Sequence, residues 1–308
     1  ALSPVMRVLE KNSGVSDLEH LGLWGRNREV LESKIREPFG IILITGPTGS
    51  GKSTSLYAFL QILNKEDRNI ITLEDPIEYF MEGINQSQVR PEIGYTFANG
   101  LRSILRQDPN VIMVGEIRDS ETAELAIHAA LTGHLVLSTL HTNDAIGAIP
   151  RLVDMGIEPF LLSSSLQVVA AQRLVRRICE HCHMEAPLSK SQTQMVKEMF
   201  ELIPEEEVLA YGLKPNQPII VQQGKGCDKC GLTGYKGRIA LYETVAVDTT
   251  MRDIIADKQG NEAAVKEAAL GQKMLSMRQD GILKVLKGIT TLAEVERVTE
   301  GKLLIDEE

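Results

Sequence analysis

The sequence predicts an α/β fold built on a parallel sheet, and three observations lead to this prediction. An apolar run at residues 41–44 is followed by a glycine-rich loop and a helical pattern over residues 53–64, which is typical of a strand, a loop and a helix. Three further apolar runs alternate with helical patterns; they cover residues 70–73, 111–114 and 135–138. Residues 251–299 then hold helical patterns separated by glycines, which predicts a helical C-terminal region.

Length and charge limit the possible classes of protein. At 308 residues the chain is long enough for two or three domains, each with its own apolar core. A net charge of -9 argues against nucleic-acid binding as the main function, because such binding depends on clustered lysine and arginine. No stretch approaches the roughly 18 apolar residues of a transmembrane helix, and the N-terminus does not resemble a secretory signal. We therefore expect a cytoplasmic protein and, since it begins without methionine, a fragment of a longer one.

Three short elements are predicted before the glycine-rich loop. Residues 5–10 are expected to form a strand, and residues 16–21 the start of a small helix. Residues 26–37 have helical spacing, and Pro38 and Gly40 end that helix just before the first strand of the sheet.

The glycine-rich loop matches the Walker A pattern, Gly-x-x-x-x-Gly-Lys-Ser, in the context that this pattern requires between a strand and a helix. Its glycines permit backbone angles that let successive N–H groups wrap a triphosphate at a helix N-terminus. Lys52 adds positive charge, and Ser53 offers a ligand for magnesium. A plain glycine-rich turn would not require lysine and serine at these positions. The predicted nucleotide contacts are Gly46, Pro47, Thr48, Gly49, Ser50, Gly51, Lys52, Ser53 and Thr54.

Carboxylates follow the second strand, at Glu74, Asp75 and Glu78. In an open parallel sheet the carboxyl ends of the strands form the ligand-binding edge. These acids could therefore face the same nucleotide as Lys52, directly or through water bound to magnesium. The alternative is a solvated acidic turn.

The third strand leads into Gly115 and Glu116. Gly115 stands where many nucleotide hydrolases place an aspartate, so Ser53, the phosphates and water must hold magnesium, with help from the acids after the second strand. Glu116 is then available to orient and polarise the attacking water.

Four basic side chains have both structural and catalytic interpretations. Arg102 and Arg106 are four residues apart on a helical pattern and share a face. That face is either solvated or supplies guanidinium groups to a γ-phosphate across a subunit boundary. His134 and His141 flank the fourth strand, and a lone histidine beside a strand is more often a hydrogen-bonded structural residue than a catalyst.

The only four cysteines form two C-x-x-C pairs, Cys179 with Cys182 and Cys227 with Cys230. In a cytoplasmic chain two such pairs are typical of one tetrahedral zinc site, because each tight turn presents two thiolates to the same ion. Residues 184–223 should then form a helical excursion between the pairs. The alternatives are two redox dithiols or two disulfides, and a reducing cytosol favours neither.

Five ordered motifs resemble the type II/type IV secretion ATPase superfamily, and more narrowly the GspE/PilB-type assembly ATPases of type II secretion and type IV pili. They lie at residues 46–53, 72–78, 101–109, 115–119 and 132–142. The resemblance implies a RecA-like P-loop ATPase core in a homo-hexamer, with Glu116 and Lys52 as catalytic residues. It further implies phosphate contacts outside the glycine-rich loop, from Arg7 of a neighbouring subunit and from Arg102, Arg106, His134, Thr139 and His141.

The function that this resemblance implies is that of a cytoplasmic motor hydrolysing ATP to drive assembly of a type IV pilus or a type II secretion pseudopilus. Its cofactors would be ATP, magnesium and zinc. Its partners would be inner-membrane platform and cytoplasmic adaptor proteins, which hold it at the inner membrane. A pilus-retraction ATPase is one alternative, although that group generally lacks the four cysteines. A zinc-containing nucleic-acid translocase is another, which the acidic charge disfavours.

The chain divides into four predicted parts. They are a remnant of an N-terminal domain with its linker (1–25), the RecA-like ATPase core (26–178), an inserted tetracysteine zinc subdomain (179–234), and a core return strand with the helical C-terminal region (235–308). The family has a full N-terminal domain before this point, and its usual aspartate is replaced here by Asn110.

Overall fold

The computed structural model describes residues 17–257 and 259–299. Within them, the strands are β1 (Gly40–Thr45), β2 (Ile70–Glu74), β3 (Asn85–Gln88), β4 (Val111–Val114), β5 (Leu135–Leu140), β6 (Leu166–Ile178), β7 (His183–Ala186), β8 (Val221–Gly224) and β9 (Tyr235–Ala246). The helices are α1 (Gly25–Ile35), α2 (Lys52–Leu63), α3 (Phe97–Ile104), α4 (Ser120–Leu131), α5 (Ala148–Asp154), α6 (Pro159–Ser165), α7 (Lys190–Glu201), α8 (Glu205–Ala210), α9 (Thr249–Asp257), α10 (Glu262–Gly271), α11 (Met277–Leu286) and α12 (Leu292–Val298).

The main sheet has seven strands in the order β3-β2-β4-β5-β1-β6-β9. The first six run parallel, and β9 pairs antiparallel with β6. Because parallel strands all end at the same edge, the loops that follow β1, β2, β4 and β5 lie beside one another. β5 stands between β1 and β4, so the segment after β5 lies between the glycine-rich loop and Glu116.

Helices cover both faces of the sheet, and its central strands are therefore apolar on both sides. All six residues of β1 are buried. Ile41 and Leu43 belong to one apolar cluster, which includes residues of α4 and α6. Ile42 and Ile44 belong to a second cluster on the opposite face, with residues of α1 and α2. This alternation follows from the period of two in a strand.

A small insert connects β6 to β9. It contains the antiparallel pair β7 and β8 together with α7 and α8, which confirms the helical excursion predicted between the cysteine pairs. A third apolar cluster joins the insert to the C-terminal helices, since Phe200 and Tyr211 pack with Ile282 and Leu283 of α11.

The predicted fold class is confirmed, with a parallel sheet, helices on both faces and a helical C-terminal region. The helix predicted over residues 16–21 is wrong: residues 18–22 form turns, and Gly22, with φ of 90°, reverses the chain. Leu21 then accepts a backbone hydrogen bond from Ala240 of β9 at 3.2 Å. The strand predicted at residues 5–10 lies outside the described residues, and the domain boundaries stay a prediction. No helix among the described residues is both long and apolar enough to cross a membrane.

Candidate active site

The glycine-rich loop between β1 and α2 has the backbone that a phosphate-binding loop requires. Gly46, Gly49 and Gly51 have φ of 147°, 81° and 91°, a region that favours glycine. A Cβ at Gly46 would lie 2.5 Å from the carbonyl oxygen of Gln172. The loop therefore requires glycine for its backbone angles and for its close approach to β6.

Two features of the loop fit a bound polyphosphate. Lys52 Nζ donates to the loop's own carbonyls, at 2.7 Å from Gly46 O and 3.1 Å from Pro47 O. Ser50 Oγ is buried and, among the described residues, has no hydrogen-bond partner, so it is available to donate to a ligand. Ser53 and Thr54 are exposed in the first turn of α2, where the helix N-terminus favours anions.

The surroundings of Lys52 lower the pKa of its ammonium group. Partial burial lowers the pKa of Lys52, the charge of Glu116 opposes that effect, and the charge of Arg173 lowers the pKa further. The lysine therefore lies within electrostatic reach of both side chains, and a phosphate beside it would restore the preference for the charged form.

Glu116 lies directly after β4, with its side chain only 14% exposed. One carboxylate oxygen is 2.5 Å from Arg118 Nη2, and the other is 3.1 Å from His141 Nε2. The carboxylate raises the pKa of Arg118, chiefly through this hydrogen bond, so the guanidinium stays charged beside it. Two side chains from two strand ends thus fix the orientation of Glu116.

Gly115 packs closely against the neighbouring strand. A Cβ at this position would lie 3.2 Å from the carbonyl oxygen of Leu73. Its own carbonyl accepts from Thr139 Oγ1 at 2.8 Å. Thr139 therefore fixes the backbone before Glu116.

Glu74 is buried and 4% exposed, and its carboxylate has donors from within the fold. It accepts from Tyr57 Oη of α2, from Thr72 Oγ1 at 2.5 Å and from Gln86 Nε2 of β3 at 3.1 Å. Burial and the bond to Glu74 raise the pKa of Tyr57 well above its usual value. Glu74 thus joins α2 to β3, because a buried carboxylate needs such donors, and its placement gives no support to the predicted nucleotide contact.

The other two acids differ from Glu74. Asp75 is exposed, and its charge contributes to the raised pKa of Arg118, which places it near Glu116. Glu78 is half-buried, and its backbone N–H donates to Tyr57 Oη at 3.1 Å. Asp75 is therefore within electrostatic reach of Arg118, which contacts the predicted catalytic carboxylate.

His134 is placed at the wrong end of its strand for a nucleotide contact in its own chain. It precedes the first residue of β5, and its Nδ1 is 2.9 Å from the carbonyl oxygen of Ala129 at the end of α4. The six residues of β5 separate it from the phosphate loop by about 20 Å at the usual rise per residue. Within its own chain His134 therefore contacts the end of α4, whereas His141 lies at the carboxyl edge, and a nucleotide contact of His134 stays a prediction.

Arg102 and Arg106 are both exposed at the end of α3 and in the 3₁₀ turn after it. Arg102 forms an ion pair with Glu121 and lies 3.1 Å from Asn99 Oδ1. Arg106 Nη2 is 3.5 Å from Ser103 Oγ. Their contact with a phosphate across a subunit boundary stays a prediction. Arg7 lies outside the described residues.

The four cysteines form a separate candidate metal centre. Their sulfur atoms all lie within 4.8 Å of one another. The Sγ–Sγ distances are 3.9 Å for Cys179–Cys227, 3.9 Å for Cys182–Cys230 and 3.7 Å for Cys227–Cys230. A tetrahedron with Zn–S bonds of about 2.3 Å has edges of about 3.8 Å. All four are free thiols rather than disulfides, so the geometry fits one zinc ion.

Backbone donors favour thiolate at one of these ligands. Burial acts to raise the pKa of Cys230, but hydrogen bonds from the N–H groups of Cys227 and Gly234, together with those from the thiols of Cys227 and Cys182, lower it to about 6. The distances from these nitrogens to Sγ are 3.2 and 3.3 Å. Such N–H to sulfur bonds orient a metal ligand and stabilise its charge.

Some residues near the site could not be assigned from the sequence. Arg118 stands inside a recognised motif, two residues after Glu116, and that spacing was the only signal for it. Arg173 belongs to none of the recognised motifs, and it lies on β6 beside Gly46. Glu243 had no local signal, because its position depends on the pairing of β9 with β6.

Comparison with known proteins finds relatives from secretion and pilus systems. A family model described as "Type II/IV secretion system protein" matches residues 3–297. The Type II secretion system protein E of Pseudomonas aeruginosa is 52% identical over 295 residues, which cover 96% of this chain and 55% of that protein. The type IV pilus assembly ATPase PilB of Thermus thermophilus is 49% identical over 292 residues, which cover 94% of this chain and 31% of PilB. The chain thus spans about half the length of the first of these relatives, and less of the second.

Solved structures agree with the fold. The pilus retraction motor PilT with bound ADP has a TM-score of 0.63 and 31% identity, covering 89% of this chain and 64% of that one. The ATPase DotB of Legionella pneumophila has a TM-score of 0.62 and 27% identity, covering 88% of this chain and 62% of that one.

Proposed function

The chain belongs to the type II/IV secretion system protein family, and from that premise we propose that it is an ATP-hydrolysing motor that assembles a type IV pilus or a type II secretion pseudopilus. The observation that carries the proposal is the position of Glu116. Its carboxylate, held by His141 and Arg118, lies at the same edge of the sheet as the loop that carries Lys52.

In this proposal the phosphate loop binds ATP. The Lys52 ammonium exchanges the carbonyls of Gly46 and Pro47 for phosphate oxygens, and Ser50 Oγ gains a partner. Ser53 is the side chain that would hold magnesium, and Asp75 would assist through water bound to the metal. When bound, magnesium and the phosphates supply an electrophilic phosphorus with stabilised charge.

The attack by water depends on this chain's own groups. Glu116 orients a water molecule and accepts its proton, while His141 and Arg118 keep the carboxylate in place. Arg102 and Arg106 would act on a phosphate of the neighbouring subunit in a homo-hexamer, with Arg7 as a third contact. The four cysteines would bind structural zinc, because four thiolates leave no open position for chemistry.

The proposed setting rests on the family resemblance and is supported by the relatives' names. A type II secretion protein E and a pilus assembly ATPase support a cytoplasmic location, peripheral at the inner membrane through platform and adaptor proteins. Because the pilus retraction motor PilT has a similar fold, the fold of the core does not distinguish a retraction motor from an assembly motor. The four cysteines favour an assembly motor, because the retraction ATPases generally lack them. The net charge of -9 disfavours a nucleic-acid translocase, and filter binding to DNA at low salt tests that alternative.

Two variants test the proposed function. Lys52→Ala should abolish ATP binding and turnover together, whereas Glu116→Gln should keep ATP bound and lose at least about 100-fold in turnover, because it acts mainly on the attacking water. Glu124→Gln is the matched control, since Glu124 is an exposed carboxylate on α4. Equilibrium binding of a fluorescent ATP analogue and phosphate release give the two readouts. A Glu116→Gln protein with the parental turnover rate would transfer the role of base to Asp75 or Glu78.

A further inference from the structure

The loop after β5 is attached to the phosphate-binding strand. Its first residue, His141, contacts Glu116. The next residue, Thr142, donates its backbone N–H to Thr45 Oγ1 at 2.8 Å, and the two hydroxyl groups are 2.7 Å apart. Thr45 is the last residue of β1. The beginning of this 141–145 loop is therefore fixed to the strand that leads into the phosphate loop.

Arg173 of β6 holds the middle of the same loop. Its Nη2 donates to the carbonyl oxygen of Asn143 at 2.7 Å. Its Nη1 would be only 3.1 Å from a Cβ on Gly46, so the guanidinium packs against the first glycine of the phosphate loop. The side chain is 9% exposed, and one residue thus contacts both loops.

Glu243 of β9 holds the end of the loop and also a distant helix. One carboxylate oxygen accepts from the Ala145 N–H at 3.0 Å, and the other accepts from the Met277 N–H at 3.3 Å. Met277 is the first residue of α11. The carboxylate is 7% exposed and lies at a helix N-terminus, where negative charge is favourable.

The pairing of β6 with β9 brings these two side chains to one face. Arg173 lies opposite Leu241, and Ala171 lies opposite Glu243, so Arg173 and Glu243 are diagonal neighbours. Both line a cleft of about 210 Å³ between the 141–145 loop and the start of α11. The two side chains therefore lie at the boundary between the sheet and the C-terminal helices.

We propose that Glu243 is a positioning residue of the ATPase site, acting through the 141–145 loop to set His141 against Glu116 and joining that loop to the N-terminus of α11. The inference rests on the proposed ATP hydrolysis. A carboxylate suits the role because it has acceptors for two N–H donors and carries the charge opposite to Arg173. The loop and the helix should consequently move as a pair when the site changes.

Glu243→Gln tests this with little change in shape. Glutamine has one acceptor oxygen, so its amide NH₂ must face the N–H of either Ala145 or Met277. We expect kcat to fall about tenfold, the effect of one unpaired buried donor, with KM for ATP within about twofold because the phosphate loop is unchanged. Hydrogen exchange should become faster in residues 141–147 and in the first turn of α11.

Glu294→Gln is the matched control. Glu294 is also a buried carboxylate that joins a C-terminal helix to β6, accepting from the Arg176 N–H at 2.8 Å, but it does not contact the loop. It should lower Tm and raise exchange around α12 without changing kcat per folded molecule. If Glu243→Gln does not fold, Glu243→Asp keeps the charge with a shorter reach, and it should show a smaller fall in kcat at unchanged KM.

The outcomes separate the two proposals. An unmodified protein without ATPase activity would contradict the proposed function, and the exchange measurement would still report on the loop. If that protein is active but Glu243→Gln keeps both its kcat and its loop exchange, the inference is overturned. The inference is also overturned if Glu294→Gln lowers kcat as much as Glu243→Gln does.

Discussion

The buried pair of Asp280 and Lys284 should make a large and coupled contribution to stability. Both residues of α11 have side chains with 0% exposure, and Lys284 Nζ is 2.6 Å from Asp280 Oδ2. The carboxylate also accepts from the Tyr242 N–H at 2.8 Å and from Tyr211 Oη. Lys284 Nζ donates to the carbonyl oxygen of Ala240 at 2.7 Å. The pair therefore joins α11, β9 and the insert.

Asp280→Asn leaves the ammonium of Lys284 buried without a counter-charge. Removing one partner of such a pair costs about 3–5 kcal/mol, a large fraction of a total stability of roughly 5–15 kcal/mol. Lys284→Met should cost a similar amount, because it leaves the carboxylate alone. The double variant carries neither charge, so it should be less destabilised than the sum of the single variants, with a coupling energy of about 2–3 kcal/mol.

Urea unfolding gives the measurement, with the fluorescence of Trp24 as the probe. Trp24 is the only tryptophan, and its ring lies 5.2 Å from Lys284 Nζ and 5.4 Å from the Tyr211 ring. Lys273→Met is the control, because it breaks an exposed ion pair with Glu206, and such pairs contribute little. Additive single variants, or an Asp280→Asn midpoint equal to that of the control, would refute the reasoning.

Three further predictions concern the metal centre, the arginines and acid stability. Purified protein should hold about one zinc per chain. Cys179→Ser or removal of the metal by a chelator should lower Tm while ATP binding survives. A well-folded, active, metal-free protein would contradict this prediction. Arg102→Ala should be inactive alone and regain partial turnover when mixed with Lys52→Ala, because two defective subunits complete one shared site; mixed hexamers without rescue would return Arg102 to a role within its subunit. Although burial acts to raise it, hydrogen bonds from Arg297 and Arg176 lower the pKa of Glu294 from 4.5 to about 2. Its stabilising effect should be complete above pH 4.5 and lost as the pH falls towards 2, so acid unfolding of Glu294→Gln should depend less on pH over that range.

Local chemistry explains what the sequence could predict. The phosphate loop is a continuous stretch whose glycines, lysine and serine each have a physical role, so its place between β1 and α2 could be predicted without tertiary information. Glu116 and His141 follow apolar strands directly, and parallel strands bring their ends to one edge. The same reasoning does not extend to His134, which also adjoins β5 but at its amino end.

The features that escaped prediction depend on contacts between distant segments. The sequence of β3, Asn-Gln-Ser-Gln, has no apolar alternation, because it is an edge strand with exposed or half-buried residues. Asp280 and Lys284, four residues apart on a helix, are typical of a solvated ion pair, and they are buried because β9, the insert and Trp24 pack around them. Glu243 acquires its two donors from segments 98 and 34 residues away along the chain.

The hairpin of β6 and β9 makes the metal-binding insert topologically removable. Ile178 lies opposite Tyr235 in the antiparallel register, and the Cys179 N–H donates to the Gly234 carbonyl at 2.9 Å. The two points where the insert leaves and rejoins the sheet are therefore adjacent, and a tight turn there would reconnect the strands without moving the catalytic edge. Evolution could gain or lose the module in one step, but a shortened chain would expose Ile282 and Leu283 on α11. A viable deletion would need polar replacements on that helix face.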